Sequence, residues 1–463
     1  MSLATSSGRR GLRYPPRHSA APVTRSLPTA RLINASLAFI YVFILWLNYR
    51  DFISPAFRYM SFVYYEHDPF FLLIDSVLVA IAAAAISPNF NKPSDYAITL
   101  IFTIVFIPGM LLTTFATSEV TSDHIALKLV MLVSLLYVNA LAGIQIKLKM
   151  PAIKWPPGIF ILMIVGLAGI CVLALSLTYG FKLQMHALTE VYEQRDQFKE
   201  GLADASYNRI FLGMAANVLC PILISYGLAN RSYHYSFIGA GLAFYIFSIS
   251  GLKSSLLSTI YVIATFVLIS YFAKNAVRMV LVGVISLSVI GMLASGTSLE
   301  LLNDLFVRRT FIIQGLLTEF YFSYALDNVF LYWSHSILSA FFDAAIVANP
   351  DDTIGALFFP GQTVHANASL WSDGFLNAGF PGIFLSATVV GLFFSAVNYC
   401  TQRTNLTLAC SAFAMLFMMT CQTGIVKVVG MHGGLIACVL FLIGDFRNAR
   451  QQSQKPSGRG SVS

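Results

Sequence analysis

Windows of about twenty consecutive, mostly apolar residues recur along this chain from Leu32 to Gly444. As an α-helix, a segment of that length crosses roughly 30 Å of hydrocarbon at about 1.5 Å per residue. In lipid the backbone N–H and C=O groups must be satisfied within the protein, so such a chain is restricted to a bundle of helices or a closed barrel, and windows this long select helices. Spans are expected near 32–49, 69–87, 96–115, 125–145, 157–180, 209–228, 235–251, 254–273, 276–296, 380–397, 405–422 and 428–444, twelve in all. Composition supports this reading: 57% of the 463 residues are hydrophobic and 11% charged, where a soluble domain carries roughly 25% charged residues. The expected fold is an all-α, polytopic transmembrane bundle.

The organisation follows from what interrupts the apolar windows. Residues 1–31 carry Arg9, Arg10, Arg13, Arg17, Arg25 and Arg31 with no acid, amid Ser, Pro and Ala, and are expected to be a disordered basic tail. A cleaved signal peptide is the rival, but the apolar run that follows has the length of a full span, which favours an uncleaved first helix. Residues 32–296 hold nine spans with an outward loop at 181–208. Residues 297–379 form one long interruption, 380–444 hold three more spans, and 445–463 form a second basic tail.

Charge orients the bundle, because Lys and Arg accumulate in cytoplasmic loops. With the N-terminus inside, the cytoplasmic segments and span ends hold eighteen basic residues against Asp95 and Asp445. Of the chain's 29 basic and 21 acidic residues, eleven and nineteen then remain outside. Both termini are therefore expected in the cytoplasm, with 181–208 and 297–379 facing outward. The apolar patches 329–333 and 337–347 within the second loop are too short to span and read as interfacial helices.

Nucleotide-driven chemistry has no support. There is no Walker A loop, no G-x-G-x-x-G after a strand, no H-E-x-x-H and no G-x-S-x-G. The six cysteines lie in or beside apolar segments without metal-ligand spacing, so they read as small buried hydrophobes rather than as a zinc site or a disulfide framework. No metal or other cofactor is expected.

The long interruption concentrates the polar residues: Arg308 and Arg309, an aromatic tract around Tyr321 and Tyr332, then His365, Asn367 and Asp373. A histidine exchanges protons near neutral pH, and a carboxylate acts as a base if its environment raises its affinity for the proton. Alternatively Asn367, Asp373 and Gly374 make the turn into the next span. Outward basic residues run against the charge bias. Arginine's planar fork suits phosphate oxygens, which singles out Arg195, Arg308 and Arg309. Lys253 lies in a short junction between two spans, where it is either a further anion contact or a marker of the membrane surface. Arg50, Arg58 and Lys427 are expected to snorkel or to pair with outside acids, and Lys128, Lys182, Lys199 and Arg209 to flank helix ends or sit in solvated loops.

The chain resembles the bacterial oligosaccharide repeat-unit polymerases, the Wzy-type enzymes of O-antigen and exopolysaccharide synthesis. The resemblance rests on Tyr192-Glu193-Gln194-Arg195, Ser250-Gly251-Leu252-Lys253-Ser254, Phe306-Val307-Arg308-Arg309, and His365-Ala366-Asn367-Ala368 running into Asp373-Gly374-Phe375 and Gly379-Phe380-Pro381-Gly382. It implies a metal-independent, C-type glycosyltransferase of the inner membrane, working on undecaprenyl-pyrophosphate-linked glycans as donor and acceptor. Arg195 and Arg309, with Arg308 and Lys253 assisting, would hold the pyrophosphate, His365 or Asp373 would accept the proton, and Asn367 and Tyr321 would line the substrate loop. A chain-length regulator protein is a candidate partner, and nucleic acid is not. Gln314-Gly315 stands where many relatives have Pro-Gly after the arginine, which leaves the register of Arg308 against Arg309 open. His365 also resembles the loop histidine of O-antigen ligases, so a ligase is the near alternative. A flippase or transporter is the distant one.

Overall fold

The computed structural model describes residues 27–147, 155–181, 183, 206–297, 301–334, 349–359, 365–444 and 446. Arg195, Lys182, Lys199, the expected interfacial helix at 337–347, and nearly all of both tails lie outside the described residues. The regular structure among the described residues is helical, apart from one isolated bridge between Trp155 and Gly444. Seven runs are long and apolar enough to cross a membrane: Pro28–Met60, Pro93–Phe115, Ser122–Ala142, Gly158–Tyr179, Asn208–Asn230, Lys253–Ala294 and Leu370–Cys400.

Local chemistry sets several of the boundaries. Helix α1 (Leu27–Asn48) runs on through a π-helical turn, Tyr49–Ile53. Helix α2 (Pro69–Ala85) starts where the Asp68 carboxylate accepts the Phe70 N–H at 2.8 Å, with Pro69 supplying a fixed φ at the first position. The central helix α3 (Pro93–Phe115) is buried along its whole length. Helix α4 (Ser122–Ala142) is capped by the His124 ring, whose Nδ1 accepts the Thr121 N–H at 3.2 Å. Helices α5 (Pro157–Tyr179), α6 (Asn208–Asn230) and α7 (Tyr233–Ser250) follow. Gly251, at φ 65°, ends α7 in the left-handed conformation that glycine adopts without strain.

The run Lys253–Ala294 has 42 residues, about 63 Å if it were one straight helix and twice the hydrocarbon thickness. Non-helical backbone at Phe272 (φ −124°, ψ 14°) and Asn275 (φ −131°, ψ 20°) divides it. The results are α8 (Lys253–Phe272, 20 residues) and α9 (Ala276–Ala294, 19 residues), where the apolar windows placed two spans.

Within the expected long outward loop, helix extends well beyond the two interfacial patches that the sequence suggested. A π-helical stretch, Asn303–Ile312, runs directly into α10 (Ile313–Asp327). Val307, Phe311, Gln314, Thr318, Tyr321 and Ala325 recur at helical spacing, and all are buried. The helix starts against α1 and α9, where the Asn303 Nδ2 donates to Asn48 Oδ1 at 3.3 Å and to Ser295 Oγ at 2.7 Å. It passes α3, where a Cβ on Gly315 would stand 2.4 Å from the Pro108 carbonyl oxygen, and ends against α4 and α12. It was missed because Asp304, Arg308, Arg309 and Glu319 lower its hydropathy. Much of it is packed against protein, where Arg308 and Glu319 find polar partners, while Arg309 remains exposed.

Helix α11 (Pro350–Phe358) is short and precedes α12 (Leu370–Cys400), whose first turn is fixed by Trp371. That side chain is fully buried, packs on Phe106 and donates from Nε1 to Ser134 Oγ at 2.8 Å. Helix α12 breaks at Ala378 and Gly379, the latter at φ 61° and ψ −147°, a conformation open essentially to glycine. A Cβ there would also meet Phe330 at 3.0 Å.

The expectation of twelve full spans is not met by helix length. The stretch read as two final spans folds as α13 (Leu406–Ala412), α14 (Ala414–Thr420), α15 (Ile425–Val429) and α16 (Gly434–Ile443), of 7, 7, 5 and 10 residues. The chain departs from α geometry at Phe413, Gly424 and Gly433. These short helices are largely buried in the common core, where neighbouring helices, not their own length, keep them from lipid.

Candidate functional site

Three segments far apart in sequence meet around Tyr321. Its ring is fully buried, and its hydroxyl donates to Asp351 Oδ1 at 3.0 Å and also engages the Ala366 carbonyl. The Ala366 N–H returns to the Asp351 carbonyl at 2.9 Å, pinning the segment after His365 to the start of α11. The other oxygen of Asp351 accepts from Lys427 Nζ at 2.6 Å. Asp351 and Lys427 are the residues that sequence reasoning missed here. Lys427 was expected to snorkel or to pair with an outside acid, and nothing along the chain marked Asp351 as its partner.

Asp373 lies beside this pair, in the first turn of α12, with 8% of its surface exposed. Its Oδ2 accepts from Trp333 Nε1 at 3.2 Å and its Oδ1 from Asn377 Nδ2 at 3.3 Å. A Cβ on Gly424 would fall 2.9 Å from its Oδ1, so the chain closes over this carboxylate with no room for a side chain. Asn377 holds the arrangement together. Its Oδ1 accepts the Trp333 backbone N–H at 2.6 Å and its carbonyl that of Tyr332 at 2.9 Å. Tyr332 and Trp333 both have positive φ, 49° and 56°. For bulky residues this conformation costs of order 1–3 kcal/mol each, and such strain concentrates at functional sites.

His365 and Asn367 are exposed, at the rim. The His365 Nδ1 is paired with Asp352 Oδ1, both side chains being nearly half accessible. An imidazole so oriented by a carboxylate presents Nε2 outward, as a proton-exchanging group requires.

The two adjacent arginines have different environments. Arg308 is 5% exposed, its guanidinium bonded to Asp304 and stacked over Phe57 at 4.2 Å and Phe62 at 5.5 Å. It is an internal strut. The Arg309 side chain is 52% exposed and only loosely paired with Asp304, at 3.4 Å. Twelve residues of helix separate Arg309 from Tyr321, about 18 Å along the axis, so the structure does not bring Arg309 to the Asp373 cluster.

A different polar cavity does lie near that cluster. The segment 421–433, with α15 at its centre, carries Lys427 toward Asp351, and its His432 N–H donates to the Lys427 carbonyl at 2.9 Å. His432 lines a cavity of about 320 Å³ together with Arg209, Asn217, Ser254 and Ser255, beside Lys253 at the start of α8. Burial, and then the charge of Lys427, depress the His432 imidazole from 6.5 to about 4, so it stays neutral at physiological pH.

Lys128 is the clearest correction among the basic residues. Expected to flank a helix end or sit in a solvated loop, it is 3% exposed inside the bundle, paired with Asp75 at 2.5 Å and with the Thr114 hydroxyl. Among the described residues no group of three or more His, Cys, Asp or Glu is placed to hold a metal ion, and all six cysteines are buried and outside any disulfide.

Comparison with protein-family models, curated proteins and solved structures gives no match.

Proposed function

We propose that the protein is a lipid-linked oligosaccharide polymerase of the bacterial inner membrane, with both termini cytoplasmic and the Asp373 cluster at its periplasmic face. The observation that carries this reading is Asp373 itself: a buried carboxylate in the first turn of α12, oriented by two neutral donors and flanked by a Lys–Asp pair, in an all-helical bundle. The resemblance of the short stretches around Lys253, Arg309 and His365–Asp373 to the Wzy-type polymerases supplies the substrate class, an undecaprenyl-pyrophosphate-linked glycan.

In this reading the Asp373 carboxylate accepts the proton of the attacking sugar hydroxyl as the new C–O bond forms. The bond from the donor's anomeric carbon to the pyrophosphate oxygen breaks, and the pyrophosphate leaves on its lipid. Basic side chains compensate the developing negative charge, an electrostatic role that is commonly the largest single contribution to catalysis. His365, on the exposed rim, is the alternative base. Because Arg309 is remote from Asp373, its part is to meet the lipid-linked substrate as it approaches.

The test is a glycan ladder from a deletion strain complemented with Asp373→Asn. Loss of polymer, with single repeats left on the carrier lipid, is expected. Polymer stranded on the carrier would indicate a ligase, and a full-length ladder would sink the assignment of Asp373.

Transport is a second reading, favoured by the buried Asp75–Lys128 pair, since ionisable residues within spans commonly mark translocation paths. That pair is enclosed by packed protein and lines neither Tyr321's cluster nor the cavity beside His432. We rank it below the polymerase reading for that reason.

A further inference from the structure

We propose that the cavity between α6, the start of α8 and the segment 421–433 is a binding site for a phosphate group, carried by a lipid or free. Arg209 is the one charged side chain among the described residues of its lining, and no carboxylate stands among them. It is exposed and has no hydrogen-bond or ion-pair partner among the described residues. Ser255 lines the same space, and its hydroxyl, which has no hydrogen-bond partner among the described residues, is open to a group placed there.

Two further features supply donors. Helix α8 has 20 residues and starts after Leu252, whose side chain cannot cap it; the Leu252 carbonyl takes up the Ser255 N–H at 2.9 Å, and the positive end of the helix dipole lies at the cavity's serines. Asn217 Nδ2 donates to His432 Nδ1 at 3.1 Å, which leaves His432 Nε2 as an N–H donor. His432 is neutral, for the reason given above, and so donates without adding charge. Arginine, imidazole N–H and two hydroxyls thus surround one space, a donor set suited to an anion with several oxygens rather than to a cation. Asn217 Oδ1 is an acceptor in the lining, and it suits a protonated phosphate oxygen.

The remaining wall is Met415, Met419, Met431 and Ile246, flexible and apolar. The volume exceeds what a bare phosphate needs, so this wall would cover the organic part of a phosphate ester. The inference does not depend on the polymerase reading. If both hold, the cavity seats the pyrophosphate close to Asp373, where Arg309 does not reach.

The test uses the purified full chain in a nonionic detergent and reads the ligand-dependent rise in Tm, which reports binding to the folded state. Dioctanoyl phosphatidic acid is expected to raise Tm, and dioctanoylglycerol, which lacks the phosphate, is not. Arg209→Gln should weaken the apparent affinity at least tenfold and Ser255→Ala several-fold, with Arg209→Lys intermediate. Inorganic phosphate at millimolar concentration is the second arm: competition means the site reads phosphate alone, and its failure means the attached chain is required. Either result supports the site. Equal stabilisation by both lipids, or wild-type affinity in both Arg209→Gln and Ser255→Ala, overturns it. If Arg209→Gln does not fold, Ser255→Ala and Arg209→Lys decide the question alone.

Discussion

Lys427 Nζ and Asp351 Oδ2 stand 2.6 Å apart although 76 positions separate them in the chain. The same carboxylate accepts the Tyr321 hydroxyl on its other oxygen, so one side chain ties α10, α11 and the short helix α15 together. Lys427 belongs to the segment that also closes over Asp373 and carries His432 to the cavity. An ion pair in this position couples the geometry of both proposed sites.

Lys427→Met should destabilise the protein by about 1–2 kcal/mol, the lower part of the range for hydrogen bonds to charged groups, because the lysine side chain remains partly accessible. Asp351→Asn should have a similar effect. The double variant should cost less than the two single changes together, since neither leaves an unpaired charge in it. Thermal unfolding in detergent measures all three, and strictly additive losses would show that the pair is not coupled.

Arg308 and Arg309 should behave as opposites. Arg308→Ala removes a buried guanidinium from Asp304 and two aromatic rings and should cost about 2–3 kcal/mol, with Arg309 standing near enough to relieve part of the loss. Arg309→Ala should change stability by no more than about 0.5 kcal/mol and, if Arg309 meets the substrate, reduce polymer per folded protein. Measuring expression and unfolding beside the glycan ladder separates the two. A stable Arg308→Ala protein would contradict its role as a strut.

Val329 is 80% exposed, between α10 and the strained Tyr332–Trp333 turn, and the proposed topology puts it outside the cytoplasm. A cysteine at Val329 should be labelled by an impermeant maleimide once the outer membrane is permeabilised. The six native cysteines are buried and should stay silent. Labelling only after the inner membrane is broken would invert the topology.

His432 gives a pH dependence of defined sign. Its folded-state affinity for the proton is depressed, to about 4 from 6.5, so between those values the unfolded chain binds more protons than the folded one. Stability should therefore fall as pH drops from 6.5 toward 4 and lose this dependence below 4. His432→Gln should flatten the Tm profile across that window. An unchanged slope in the variant would assign the pH dependence to other groups.

Hydropathy and charge alone determined that this chain is a helical membrane protein, where most of its long helices lie, and that one region breaks the apolar pattern. They did so because transfer of apolar side chains to lipid depends on local composition, which can be read window by window. They did not mark 301–327 as a helix or Lys128 as a buried ion-pair member, because hydropathy reports affinity for lipid and these segments pack largely against protein. His365, Asn367 and Asp373 could be singled out as polar residues in an apolar chain. That Asp373 is oriented by Trp333, that Asp351 binds Lys427, and that Arg308 is buried while Arg309 is not were decided only by the tertiary structure. Each depends on which segments pack side by side, and for residues tens of positions apart no local pattern encodes that distance.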